Sequence, residues 1–158
     1  MRPLTDFTTY ADAQRHYSKE ALWALFDGNQ TCFNIAHECL DRHPRDDVAV
    51  NVIRADGGID TYTFGELSDG AGRFANHLRT RGLTHGDVIA VMLEPSFELY
   101  TALFGAMKAG CIGVPLFTLF GPDGLRLRIN DCDPKLLVTN LEKAPIAAGI
   151  DGLEIITS

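Results

Sequence analysis

No apolar run in this chain approaches the roughly 20 residues that a membrane-spanning helix needs, so no transmembrane span is expected. Positive charge is also scarce. Fourteen Lys and Arg against 21 Asp and Glu leave a net charge of −7, and the cations are scattered. The sequence therefore lacks the basic face that phosphate-backbone contacts require, and nucleic acid is excluded as an expected partner. The opening "MRPLTDFTTYADAQRHY" has no apolar stretch behind a basic one, so no secretion signal is read and a cytoplasmic location is expected. Cysteine is limited to Cys32, Cys39, Cys111 and Cys132, whose uneven spacing favours reduced, mostly buried thiols over a disulfide framework. A G-x-x-x-x-G-K-[ST] phosphate loop is absent as well.

What is present is the balance of a globular protein. The 158 residues are 46% hydrophobic and 22% charged, enough to bury about 70% of the unfolded surface. Cys32, His37, Cys39 and His43 fall close together, and Cys39 with His43 would share a helical face at i, i+4. His37 and Cys39 would point apart, however, and no C-x-x-C or H-x-x-x-H pair completes a tetrahedral metal site. The expectation is a helix with a buried Cys and solvated His residues, and no metal.

Residues 1–32 lack clear periodicity and read as an N-terminal arm, in which "KEALWALF" (Lys19 to Phe26) suits a short helix whose Leu22, Trp23 and Phe26 would pin it to the body. From Asn34, the apolar positions Ile35, Cys39 and Leu40 suit a short helix stopped by Asp41, His43 and Pro44. "VAVNVI" (Val48 to Ile53), the Gly-rich "RADGGID" and "DTYTF" (Asp60 to Phe64) predict a β-hairpin.

Gly70-Ala71-Gly72-Arg73-Phe74-Ala75 has the G-x-G-x-x-A form of a dinucleotide-binding fingerprint. Its surroundings argue otherwise. Thr63-Phe64-Gly65-Glu66 has the spacing of a capping box, which starts the helix at Thr63, ahead of the glycines. Leu67, Ala71, Phe74, Ala75 and Leu78 then form one apolar stripe running to Arg81, with Gly82 as the stop. A fingerprint needs its first glycine in the tight turn leaving a strand, so Gly70 and Gly72 are read as packing glycines instead.

"DVIAVMLE" (Asp87 to Glu94) has the continuous apolar run of a strand buried on both faces. Ser96 is placed as N-cap of a helix carrying Phe97, Leu99, Leu103, Phe104 and Met107 and closed by Lys108 and Gly110. "CIGVPLF" predicts a second buried strand, "GPDGLRLRIND" a helix from Pro122 to about Asp131, "KLLVT" (Lys135 to Thr139) a third strand and "LEIITS" a fourth. Alternation of this kind predicts an α/β fold of parallel-sheet βαβ units with helices on both faces. Ending on a strand suggests a piece of something longer.

Taken in order, these segments resemble the N-terminal part of the large domain of the adenylate-forming superfamily: acyl-CoA synthetases, luciferases and peptide-synthetase adenylation domains. The residues that carry the likeness are "TYTFGELSDGAGRFANHLRTRGLTHGDVIAVML", "AMKAGCIGVPLF" (Ala106 to Phe117) and "LRINDCDPKLLVT" (Leu127 to Thr139). The likeness runs from about residue 33 to 140 and rests on no single motif. "CFNIAHECLDRHP" and "PLFTLFGPDGLRLRIND" look most like synthetases acting on acetate, medium-chain or benzoate-like acids.

The resemblance implies a parent enzyme that uses ATP, Mg and CoA. It also implies that residues 33–158 form a subdomain cut before the family's Thr-Ser-Gly-Thr-Thr-Gly-x-Pro-Lys loop, because "NLEKAPIAAGIDGLEIITS" ends without it. No catalytic residue is then expected here, and no cofactor is expected to bind tightly to this chain alone. The loop Thr118, Leu119, Phe120 and Gly121 is implied to lie near CoA, and Arg128, placed one turn into the following helix, could face a CoA phosphate. His77 and His85 are expected to be exposed. Expected partners are the remainder of a catalytic domain, or a second copy held through an exposed apolar patch. A stand-alone binding or interaction module that kept this scaffold is the alternative function.

Overall fold

The N-terminal stretch builds two short helices because each begins with a hydroxyl that accepts an otherwise orphaned amide. Thr9 Oγ1 accepts from Asp12 N–H ahead of α1 (Tyr10–Arg15), and Ser18 Oγ accepts from Ala21 N–H ahead of α2 (Lys19–Trp23). In the computed structural model, which describes residues 2–158, these helices belong to a unit spanning Met1–Asn34; a second unit spans Ile35–Ser158. The smaller unit has an aromatic cluster of its own. Trp23, Phe26 and Phe33 meet edge to face with ring centroids 5.3 to 5.9 Å apart, and Asn29 Oδ1 shapes the intervening turn by accepting from the amides of Thr31 and Cys32.

The larger unit opens with a π-helical turn at His37–Asp41, closed by an i→i+5 bond from Arg42 N–H to His37 O of 3.1 Å. This winding corrects the expected burial. Ala36, Glu38 and Leu40 turn inward while Ile35 and Cys39 are exposed, because the wider turn breaks the 3.6-residue register on which the apolar spacing was read. The buried Glu38 carboxylate is paired with Arg42 at 2.5 Å.

Next, β1 (Val48–Ile53) and β2 (Ile59–Thr63) form the antiparallel hairpin, with the turn at Gly57 in the left-handed region (φ +84°). Helix α3 (Phe64–Thr80) begins where the capping box requires: Thr63 Oγ1 accepts from Glu66 N–H and the Glu66 carboxylate accepts from Thr63 N–H at 2.9 Å. It ends in a Schellman turn. Gly82 (φ +80°) donates to Arg79 O, and Leu83 donates to Leu78 O.

Four parallel strands follow, β3 (Val88–Met92), β4 (Ile112–Pro115), β5 (Leu136–Thr139) and β6 (Glu154–Thr157), in the spatial order β4-β3-β5-β6. Between them lie α4 (Phe97–Lys108), α5 (Pro122–Cys132) and a 3₁₀ turn at Ala144–Ala147 that the sequence pattern did not announce. Alternate strand residues serve opposite faces. Ile89, Val91, Leu136 and Val138 pack with Leu78 of α3 and with Ala102 and Ala106 of α4; Ala90, Met92 and Leu137 pack with Leu125 and Ile129 of α5 and with Ala147. Helices therefore cover both faces. Among the described residues no helix is long and apolar enough to cross a membrane.

One expectation needs correction here. β4 is an edge strand with a single neighbour, so it is half-exposed rather than buried, and Ile112 faces solvent. In α4 the fully buried positions are the small ones, Thr101, Ala102, Gly105 and Ala106, and the larger Leu99, Leu103 and Phe104 are half-buried around them.

The cause is a close crossing of α3 and α4. A Cβ at Gly70 would lie 2.4 Å from Thr101 Cγ2 and 2.8 Å from Phe97 Cζ, and one at Gly105 would lie 2.8 Å from Ala71 O, so both glycines let the helix backbones approach. Gly72 does not: a Cβ there meets open space, which corrects its reading as a packing glycine. The crossing is tied at one end by Lys108, whose Nζ donates to Asp41 Oδ1 at 2.6 Å and to Ser68 Oγ at 3.0 Å, while Ser68 Oγ donates to Asp41 at 2.6 Å. Burial pushes the Asp41 carboxyl up, but the hydrogen bonds from Lys108 and Ser68 and the charges of Lys108 and His37 outweigh it and hold the group below its ordinary value.

Two measurements check this packing. In chemical denaturation, Gly72→Ala is expected to stabilise by about 0.5–1 kcal/mol through helix propensity, and Gly70→Ala to destabilise by about 1–3 kcal/mol through overpacking. Equal effects at the two positions would contradict the crossing. The depressed Asp41 carboxylate stabilises the fold above its unfolded pKa, about 3.9, and that contribution is lost as pH falls through the lower folded value. Asp41→Asn is thus expected to cost about 1–2 kcal/mol at neutral pH, allowing for partial exposure, and to flatten the loss of stability below about pH 4. Parallel pH profiles for the two proteins would contradict it.

Candidate functional site

In an open parallel sheet, a ligand crevice forms at the carboxyl edge where connections leave adjacent strands in opposite directions. Here β3 leads through α4 to β4 on one side, and β5 leads to β6 on the other, so the carboxyl ends of β3 and β5 mark that position. Two threonines fasten this edge. Thr139, fully buried at the end of β5, donates its hydroxyl to Met92 O at 2.9 Å, and Thr118, three residues past β4, donates its hydroxyl to the Glu94 carboxylate just past β3.

The candidate residues sort clearly around that edge. Thr118 is 6% exposed and turned inward, whereas Leu119 is 74% exposed and Phe117 61%. Phe120 N–H donates to Phe117 O at 3.2 Å, and the two rings meet edge to face at 5.9 Å. Gly121 is the N-cap of α5 with an extended backbone, followed by Pro122 in the first turn, where its missing N–H costs nothing. Arg128 lies six residues past Pro122, nearly two turns into α5 rather than one, and its guanidinium sits over the Phe120 ring, 4.6 Å from the centroid. Beside it is a surface hollow of about 410 Å³ lined by Leu127, Arg128 and Asp131.

The structure thus joins Phe120 to Arg128, buries Thr118 and leaves Leu119 at the loop tip. The sequence reading missed Glu94, Phe117 and Thr139. A carboxylate directly after a buried apolar run was the available signal for Glu94, since it marks the carboxyl end of an interior strand.

Other reactive groups lie away from this edge. His77 is exposed and accepts from Arg81 Nε at 2.8 Å, and His85 is exposed, as expected. Burial raises the thiols of Cys111 and Cys132 above their ordinary value, so neither is poised as a thiolate. Cys32 and Cys39 are exposed, which corrects the expectation of mostly buried thiols. Among the described residues no group of three or more His, Cys, Asp or Glu side chains is placed to hold a metal ion.

A family model described as AMP-binding enzyme matches residues 36–156. The chain belongs to this family. Acetyl-coenzyme A synthetase of Bradyrhizobium diazoefficiens is 34% identical over 128 residues, covering 75% of this chain and 20% of the relative. The enzyme of that name from Novosphingobium aromaticivorans is 31% identical over 156 residues, covering 92% of this chain and 24% of the relative. Among solved structures, an acyl-CoA synthetase of Brucella canis superposes with a TM-score of 0.86 at 33% identity, covering 96% of this chain and 29% of that one. Apo MatB of Rhodopseudomonas palustris gives 0.64 at 31% identity over 78% of this chain and 25% of its own. The chain spans about a fifth to a quarter of the length of the curated relatives it matches. Its parallel four-stranded sheet with helices on both faces is as the alternation of elements predicted, and it is the N-terminal part of the AMP-binding enzyme fold, as the resemblance implied.

Proposed function

We propose that this chain is the N-terminal scaffold of an ATP-dependent acyl-CoA synthetase. In the whole enzyme a carboxylate attacks the α-phosphate of MgATP, releasing pyrophosphate and leaving an acyl-adenylate; the CoA thiol then attacks the acyl carbon and AMP departs. The single observation that carries this reading is the fold match to an acyl-CoA synthetase over 96% of the chain, joined to the family match over residues 36–156.

Within that reaction the chain supplies no acid, base or nucleophile. On this reading the phosphate-gripping loop implied by the resemblance, which these 158 residues do not include, holds ATP and Mg in the whole enzyme, and this stretch by itself carries out no adenylation. Its own contribution is the carboxyl edge. The backbone of Thr118, Leu119, Phe120 and Gly121 borders CoA, and Arg128 leaves the Phe120 face to meet a CoA phosphate, exchanging a cation–π contact for a charge-assisted hydrogen bond. Phe117, Leu119 and Leu141 expose apolar surface on this edge, where the remainder of a catalytic domain packs or, in its absence, a second copy does.

The experiment is the thermal midpoint with and without millimolar CoA, AMP or MgATP. A ligand at about 100 times its Kd stabilises by about 2.7 kcal/mol, which raises the midpoint of a chain this size by roughly 5–10 °C. No cofactor is expected to bind this chain tightly, so CoA near a millimolar Kd is expected to raise it by only about 1–2 °C, MgATP and AMP to leave it unchanged, and Arg128→Ala to remove the CoA response. A shift with MgATP would overturn the scaffold reading, and no shift with CoA would overturn the loop's role.

A further inference from the structure

The loop from Phe117 to Gly121 is held by a bond that neither strand pairing nor helix capping supplies. The β3–β4 ladder ends with Leu116 N–H donating to Val91 O at 2.8 Å. Beyond it the chain leaves the sheet with Phe117 and Leu119 facing solvent, Phe120 half-buried against the core and Thr118 buried, so the Thr118 hydroxyl, the buried polar side chain of the loop, needs a partner. That partner is the Glu94 carboxylate. Glu94 is well placed to stay still: the sheet ends two residues before it, Pro95 restricts its backbone, and Ser96 caps α4 by accepting from Leu99 N–H at 3.2 Å. It also remains exposed, with one oxygen serving the threonine.

We propose that Glu94 is the positioning residue of this loop: by accepting the Thr118 hydroxyl bond it fixes the turn in which Phe120 N–H meets Phe117 O and Phe120 carries Arg128. Its purpose rests on reading the loop as a CoA contact, but its geometry does not. A charged acceptor makes the bond stronger than a neutral pair, and it crosses between the extensions of two adjacent strands, which is where a loop is most effectively anchored.

Amide hydrogen exchange of the full 158-residue chain, followed by NMR at Phe120, tests this. Glu94→Ala and Thr118→Val are expected to speed Phe120 exchange about tenfold or more while the amides of Ala90 and Val138 in the sheet keep their rates. Thr118→Ser, whose hydroxyl still donates, is expected to match wild type, and Glu94→Gln, whose neutral amide oxygen still accepts but more weakly, to restore most of the protection that Glu94→Ala loses. Unchanged Phe120 exchange in Glu94→Ala would overturn the proposal. So would equal acceleration throughout the sheet, or failure of both conservative variants to restore protection.

Repeating the comparison with CoA separates the two readings. A chain indifferent to CoA whose Phe120 amide still answers to Glu94→Ala refutes the cofactor contact and upholds the positioning role. A chain that binds CoA with Phe120 exchange unaltered by Glu94→Ala does the reverse.

Discussion

The structure depends on β3 being paired on both edges and covered on both faces. With β4 on one side and β5 on the other, its Ile89 and Val91 face α3 and α4, and its Ala90 and Met92 face α5. Each buried aliphatic side chain contributes about 1.5–3 kcal/mol, and a strand buried on both faces contributes at every position. The small residues at Gly70, Gly105, Ala102 and Ala106 allow α3 and α4 to pack closely together against one of those faces. The carboxyl edge inherits its rigidity from this strand. Thr139 bonds to the Met92 carbonyl at its end, and Thr118 bonds to Glu94 two residues beyond.

Much of this architecture was legible in the sequence because its signals are local. The capping box at Thr63 and Glu66, the Ser96 cap, the Pro122 start and the apolar run before Glu94 each act over three to six residues, and each element formed where they placed it. The capping box also decided the fate of the Gly70 to Ala75 motif, since a helix already begun at Phe64 cannot present its N-terminus at Gly70. What was not legible depends on neighbours far along the chain. Whether "IGVP" would lie at an edge depends on strand order, and whether Gly70 or Gly72 faces α4 depends on a helix crossing. The π turn at His37–Asp41 escaped because its apolar spacing, read at 3.6 residues per turn, assigns Cys39 to the wrong side.

The candidate site was legible only in part, for a related reason. Its loop was singled out by resemblance alone, and Thr118, Leu119, Phe120 and Gly121 follow β4 at the carboxyl edge of the sheet. Arg128 could be placed on the right helix but not over the right ring, because its contact with Phe120 joins residues eight apart across a loop-to-helix junction. Glu94 was read only as the polar end of a strand. Its bond to Thr118 spans 24 residues, and no local pattern announces it.

The proposed division of labour in an acyl-CoA synthetase gives this chain a rigid sheet edge and leaves adenylate formation to the rest of the enzyme. Exchange of labelled pyrophosphate into ATP, measured on the purified chain with Mg and a panel of acetate, medium-chain and benzoate-like acids, tests that division most directly. The account predicts no exchange above the protein-free background with any acid. Acid-dependent exchange that copurifies with the chain would contradict it, because it would place an adenylation centre within these 158 residues.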